Sequence, residues 1–98
     1  MIKHIFIAPV KEGIKEERVD ELVTMFRSLQ EDNKSIKNII VEISTGWRGI
    51  KNALTMIIDV ETKEDFENLF KTDLHFEIAD KAKDILDMDK VVASQIEV

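Results

Sequence analysis

Residues 39–44, Ile-Ile-Val-Glu-Ile-Ser, are followed after a short loop by residues 53–60, Ala-Leu-Thr-Met-Ile-Ile-Asp-Val. Apolar and β-branched residues that recur at every second position are typical of strands, because successive side chains of a strand point to opposite faces. In the second segment Leu54, Met56 and Ile58 share a face that is entirely apolar. The two segments therefore predict adjacent strands, and the fold depends on what lies on either side of them.

A helix is predicted on each side of this pair of strands. From about Lys15 to Gln30, apolar residues recur at spacings of three and four, which makes one apolar stripe along a helix. The stripe consists of Val19, Leu22, Val23, Phe26 and Leu29. After the second strand, Thr62 is suited to cap a helix, and a helical pattern that is broken at Thr72-Asp73 continues to Leu86.

The two ends of the chain complete the pattern. Residues 2–8 alternate as a strand does, and residues 91–98 are rich in β-branched side chains. The order strand, helix, strand, strand, helix, strand predicts an α+β, ferredoxin-like βαββαβ fold, with two helices on one face of a four-stranded antiparallel sheet. The length of 98 residues fits a single domain, residues 1–98.

The second face of the predicted sheet is also apolar. In this topology one face packs against the helices and the other is left open. The residues predicted to lie on the open face include Ile5, Ile7, Ile40 and Ile57. Because an exposed apolar patch of this kind usually marks an interface, we expect a homodimer that forms through this face.

Composition excludes several classes of partner. A net charge of −6, with lysine and arginine scattered among acids, disfavours nucleic acid and anionic membrane surfaces. No apolar run approaches the length needed to span a membrane. The chain has no cysteine, which fits a reducing compartment, and Met1 leads directly into the first strand. We therefore expect a cytoplasmic protein with no nucleic-acid or membrane partner.

Four short motifs resemble those of a known family. They are Met-Ile-Lys-His-Ile-Phe at residues 1–6, Lys-Glu-Gly at 11–13, Thr-Asp-Leu-His-Phe at 72–76 and Val-Val-Ala-Ser-Gln-Ile-Glu-Val at 91–98. In this order, over nearly the whole chain, they resemble the stress-responsive A/B barrel (Dabb) family of dimeric α/β barrel proteins. The resemblance implies a homodimer in which two sheets close into a central barrel, with a small cavity in each monomer between sheet and helices.

His4 and His75 are the only histidines. Both are predicted on the side where the sheet meets the helices. The family includes a plant polyketide cyclase, and these positions resemble its cavity histidines, one of which is an acid/base. An imidazole is suited to proton transfer because its pKa lies near neutrality. The alternative is structural, since a histidine on an apolar face is more often a hydrogen-bonded core or helix-cap residue.

The same resemblance supplies a candidate pocket. Its predicted walls are Phe6, Phe26, Met56, Leu69 and Ile78. The chain has no tyrosine, and Leu69 lies at the position that resembles the cavity tyrosine of the cyclase. Thr72-Asp73 replaces the His-Pro that is common in the family before the second histidine. We therefore do not expect a cyclase of that same mechanism.

Three functions remain open. The first is a protein that binds a small apolar or aromatic molecule between sheet and helices, without catalysis. The second is a cofactor-free enzyme, a polyketide cyclase-like lyase or an oxygenase, that uses His75 as acid/base with help from His4. The third is a protein-interaction module, because family membership by itself does not transmit a reaction.

Two further features point to no established chemistry. The two histidines and Asp73 match no helix-based metal motif, so no metal and no cofactor are predicted. Trp47 lies in the glycine-bounded segment 45–49, where an aromatic side chain can mark a recognition site. More often such a tryptophan folds back over the core or seals the edge of a dimer.

Overall fold

The four predicted strands form one antiparallel sheet in the order β2-β3-β1-β4. The computed structural model describes all 98 residues, Met1–Val98. The strands are β1 (Ile2–Pro9), β2 (Asn38–Thr45), β3 (Lys51–Val60) and β4 (Val92–Glu97). The order of elements confirms the predicted α+β, ferredoxin-like fold.

The helices are α1 (Glu16–Arg27), α2 (Leu29–Asp32), α3 (Lys63–Asn68) and α4 (Asp73–Ile85), with 3₁₀ turns at Leu69–Lys71 and Met88–Lys90. The first helix was predicted to run unbroken to Gln30, but it ends before Ser28. The hydroxyl of Ser28 donates to the carbonyl of Met25 at 2.6 Å. Such a local side-chain bond competes with the regular helical pattern, and the chain continues as the separate single turn α2. None of these helices is both long enough and apolar enough to cross a membrane.

The core fills the space between the helices and one face of the sheet. Alternate residues of the two central strands, β1 and β3, face this layer, as the period of two requires. Its fully buried side chains include Leu22, Leu54, Ile58, Ile78 and Ile85. These residues come from α1, β3 and α4, so burial of apolar surface holds the helix layer on the sheet.

The opposite face of the sheet carries no helix. Ile40, Ile57 and Ile5 lie side by side across β2, β3 and β1, and the register places Ile7 beside Val92 of β4. Ile40 is 48% exposed and Val92 is 62% exposed. The four isoleucines predicted to lie on the open face are therefore found there, next to apolar residues of the last strand.

Replacing a fully buried residue of α1 tests this packing. Leu22→Ala should lower the free energy of unfolding by about 2–5 kcal/mol, because it removes buried methyl groups and leaves a cavity. The measurement is urea denaturation at one fixed protein concentration. Arg18→Ala, on the exposed side of the same helix, is the control and should change the unfolding free energy by less than ~0.5 kcal/mol. Equal effects of the two substitutions would contradict the described core.

Candidate functional site

A cavity of about 100 Å³ lies between the helix layer and the sheet. The residues predicted as pocket walls all line it: Phe6, Phe26, Met56, Leu69 and Ile78. Both histidines line it as well. No lysine, arginine, aspartate or glutamate contributes to its walls. An ion would be costly in this cavity, because a buried charge without a partner loses its hydration without compensation.

His4 enters the cavity from the sheet. It lies on β1 beside Gln95 of β4, and it is only 5% exposed. The side-chain amide nitrogen of Gln95 lies 3.0 Å from Nδ1 of the imidazole. The ring packs edge to face on Phe66 and Phe70, with ring centroids 5.1 and 5.9 Å away. His4 is therefore a hydrogen-bonded core histidine that also reaches the cavity.

One of the two ring nitrogens of His4 has no hydrogen-bond partner within the protein. Nε2 makes no hydrogen bond within the protein, whereas every fully enclosed side-chain nitrogen or oxygen of the structure has a partner. Nε2 is therefore in contact with accessible space. Burial lowers the pKa of His4, because a charged imidazolium would lose hydration here. The ring is accordingly neutral at neutral pH.

His75 enters the cavity from the first turn of α4. The hydroxyl of Thr72 accepts a hydrogen bond from the backbone N–H of His75 at 3.1 Å, and this caps the helix. The imidazole itself makes no hydrogen bond, so the ring does not secure the helix break. It packs edge to face on Phe70 and Phe76, at centroid distances of 5.3 and 5.7 Å. Burial also lowers the pKa of His75.

Phe70 connects the two histidines. Its ring contacts both imidazoles edge to face, and it also contacts Phe66 at a centroid distance of 5.1 Å. Phe70 and Met88 line the cavity and are both exposed, 38% and 44% respectively. The cavity is therefore lined in part by side chains that reach the surface of the protein.

Sequence reasoning missed several residues of this site. Asn33, Phe70, Thr72 and Met88 line the cavity from loops and helix ends, where no periodic pattern assigns a facing direction. Gln95 was missed because its contact with His4 depends on the register of β4 against β1. A register is not readable from one strand alone, although the alternation of residues 91–98 would place Gln95 and Ala93 on the same face.

A larger groove lies elsewhere on the surface. It measures about 640 Å³ and is bordered by α1 and by the ends of β2 and β3. Its rim carries Glu16, Asp20, Arg27 and Glu42, and neither histidine takes part in it. Arg27 is already paired with Glu42 and donates to the carbonyl of Val41. We therefore place the candidate site in the smaller apolar cavity, which holds two neutral imidazoles.

The tryptophan loop does not contribute to the cavity. Trp47 is 89% exposed at the tip of the β2–β3 hairpin, so it does not fold back over the core of this chain. Gly46 in this loop has a positive φ of 75°, and a Cβ there would overlap the side chain of Lys51.

No group of three or more histidine, aspartate or glutamate side chains converges on a point that could hold a metal ion.

Comparison with known protein families shows to which family the chain belongs. The model of the family described as "Stress responsive A/B Barrel Domain" matches residues 2–98. The chain belongs to the stress-responsive A/B barrel family. This confirms the resemblance found in the sequence motifs. No curated protein sequence matches the chain significantly.

Solved structures show the same fold at low sequence identity. A dimeric ferredoxin-like protein of unknown function from Thermobifida fusca has a TM-score of 0.84 at 16% identity, covering 99% of this chain and 90% of its own. A hydroxynitrile lyase from Passiflora edulis has a TM-score of 0.84 at 17% identity, with coverage of 99% and 92%. A protein from Arabidopsis thaliana has a TM-score of 0.80 at 21% identity, with coverage of 100% and 95%. At such identities these likenesses show the fold alone.

The burial of the two histidines predicts how stability depends on pH. An unperturbed histidine has a pKa of 6.5, and both native values are lower. Below pH 6.5 the unfolded chain therefore takes up protons that the native state does not. The stability contributed by the neutral imidazoles is present above that pH and is lost as the pH falls through the lowered native pKa values.

We expect His4→Gln to reduce this loss, because glutamine cannot be protonated. The measurement is the free energy of unfolding in urea at about pH 7.5 and about pH 5.5, for wild type and variant. The wild type should lose more stability between the two conditions. Identical losses in both proteins would show that His4 titrates normally in the native state.

Proposed function

We propose that this chain forms a homodimer and binds a small, uncharged, apolar or aromatic molecule in the cavity between its sheet and helices. The observation that carries the proposal is the character of that cavity. Its walls are apolar, its polar groups include two neutral imidazoles, and no charged side chain lines it. Binding sites for small molecules usually combine an apolar lining with a few oriented polar groups. The lack of cysteine fits a cytoplasmic location, which is part of the proposal.

The size of the cavity limits the ligand. At about 100 Å³ it is smaller than an apolar protein cavity of about 150 Å³ that accepts benzene. Met56 and Met88 form part of the wall, and an unbranched methionine side chain can change rotamer at little cost. A molecule with one ring therefore fits once these side chains adjust. A larger polycyclic molecule would require displacement of the helices.

A second candidate function is a cofactor-free enzyme that uses His75 as acid/base with help from His4. The specific observation in its favour is that the His75 ring packs between two phenylalanines without a hydrogen bond to the protein. A neutral imidazole in this state can accept a proton from a bound molecule and return it.

A protein-interaction module is the third candidate function. Trp47 is the exposed side chain that would contact the partner protein.

The homodimer is proposed from the open face of the sheet. This face holds Ile5, Ile7, Ile40 and Ile57, together with Val92 and Ile96 of β4. Lys3 and Asp59 form an ion pair of 2.9 Å on the same face, and Glu42, which also lies on this face, is paired with Arg27. A second copy presents the same apolar surface, and twofold association would bury both at once. The Thermobifida fusca protein with this fold is described as dimeric.

Thermal denaturation with a matched pair of probes tests binding. Benzamide and benzoate have nearly the same shape, but only benzoate is charged at neutral pH. Benzamide at tenfold its dissociation constant should raise the melting temperature by roughly 6–11 °C, because a ligand of the native state stabilises it by mass action. Benzoate should have no effect. A response to benzoate alone would contradict the assignment of an uncharged ligand.

Two variants place the probe in the cavity and separate a binder from an enzyme. Ala82 is buried in the cavity wall, and Ala82→Leu should abolish the response to benzamide by filling the space. Lys81→Ala, at the neighbouring exposed position, should retain it. His75→Ala should change the affinity of a simple binder only modestly, whereas it should abolish turnover if the protein is an enzyme. Retention of benzamide binding in Ala82→Leu would show that the probe binds elsewhere.

The dimer is tested by a charge placed on the open face. Wild type should have twice the protomer mass of 11.3 kDa by light scattering at micromolar concentration. Ile57→Asp should give a monomer, because the twofold contact would bury two unpaired carboxylates. Phe76→Asp makes the same kind of change at an exposed aromatic residue of α4 and should remain dimeric. A monomeric wild type would refute the proposed dimer.

A further inference from the structure

Gln95 makes the one hydrogen bond of the His4 imidazole. The two residues are paired across β1 and β4, and their side chains lie on the helix side of the sheet. The other neighbours of the ring include Phe66 and Phe70, which offer aromatic faces and edges rather than hydrogen-bonding atoms. The protonation of the two ring nitrogens therefore depends on this amide.

The geometry points to the nitrogen that carries the proton. The amide nitrogen of Gln95 lies 3.0 Å from Nδ1 of His4, and an amide nitrogen can only donate. Nδ1 is then the acceptor. Because a neutral imidazole carries one proton, that proton is on Nε2. Nε2 is the nitrogen that makes no bond within the protein and is in contact with accessible space.

We propose that Gln95 is a positioning residue that holds His4 in the Nε2–H tautomer, so that His4 presents a fixed hydrogen-bond donor to the molecule in the cavity. This inference rests on the proposed function, because it assigns a role to the same cavity. His75 has no such partner, and its imidazole is free to donate or to accept. The two histidines therefore differ in their hydrogen bonding. His4 on the sheet is a fixed donor, whereas His75 on the helix can either donate or accept.

The tautomer narrows the class of ligand. A fixed N–H in an apolar cavity favours a molecule with an uncharged acceptor, such as a carbonyl oxygen attached to a single ring. A ring without an acceptor would leave the buried N–H unpaired, and an unpaired buried donor is costly. We infer that the ligand carries its acceptor toward β1 and its remaining polar group, if it has one, toward His75 on α4.

The tautomer can be measured without any ligand. Long-range ¹⁵N–¹H NMR spectra at neutral pH distinguish a protonated ring nitrogen from an unprotonated one. In wild type we expect Nε2 of His4 to be protonated and Nδ1 to be the acceptor. Gln95→Glu is nearly isosteric at an exposed edge position, and its carboxylate can only accept. Because that carboxylate also favours the imidazolium, the variant is measured at alkaline pH, where the ring is neutral, and there we expect the proton on Nδ1.

Controls establish that the change is local. The signals of His75 should be the same in wild type and in Gln95→Glu. Gln30→Glu makes the identical substitution at an exposed residue of α2 and should leave His4 in the Nε2–H tautomer. An Nδ1–H tautomer in wild type would overturn the proposal. So would the same tautomer in wild type and in Gln95→Glu.

Binding measurements then connect the tautomer to the ligand. Acetophenone has a carbonyl acceptor and no donor, so at the same alkaline pH it should bind about tenfold more weakly to Gln95→Glu than to wild type, since one hydrogen bond is lost. Toluene has no acceptor, and its affinity should not change. Equal weakening of both probes would overturn the role of Gln95. If neither probe binds any form of the protein while the tautomer still switches, the proposed function fails and the positioning of His4 stands.

Discussion

The structure depends on two central strands that are apolar on both faces. β1 and β3 pair over their whole shared length, and each presents bulky side chains on both sides of the sheet. The helices can cover only one side. Two features follow from this arrangement. The covered side of the sheet contains the cavity, and the uncovered side is an exposed apolar surface. His4 and Ile5 are consecutive residues of β1, and they lie on these two opposite sides.

The cavity lies beside the break in the second helical segment. α3 is followed by a 3₁₀ turn, and Thr72 then caps a new helix, α4. Phe70 lies in this 3₁₀ turn, where its ring contacts both imidazoles and the residue is partly exposed. The interruption costs helical hydrogen bonds, and the cap at Thr72 recovers one of them.

The sequence predicts the fold well because the fold follows from short-range patterns. Alternation in residues 53–60 and the helical stripe before Leu29 each require only local information. The cavity walls and both histidines could also be named, since their facing directions follow from the same periods and from the family motifs. Gln95 could not be named, because its bond to His4 requires the register between the first strand and the last. The early end of α1 at Ser28 depends on one side-chain bond that no periodicity reports.

The edge strand β4 contributes side chains to both sides of the sheet. All six residues of this edge strand are exposed in the single chain, and its interactions include the ladder with β1 and the bond from Gln95 to His4. Val92 and Ile96 lie on the open side, whereas Gln95 lies on the cavity side. A second copy that covers Val92 and Ile96 would immobilise the strand and, with it, the amide that orients His4. In the proposed homodimer, this edge strand would therefore contribute one face to the contact between the copies and the other to the surroundings of His4.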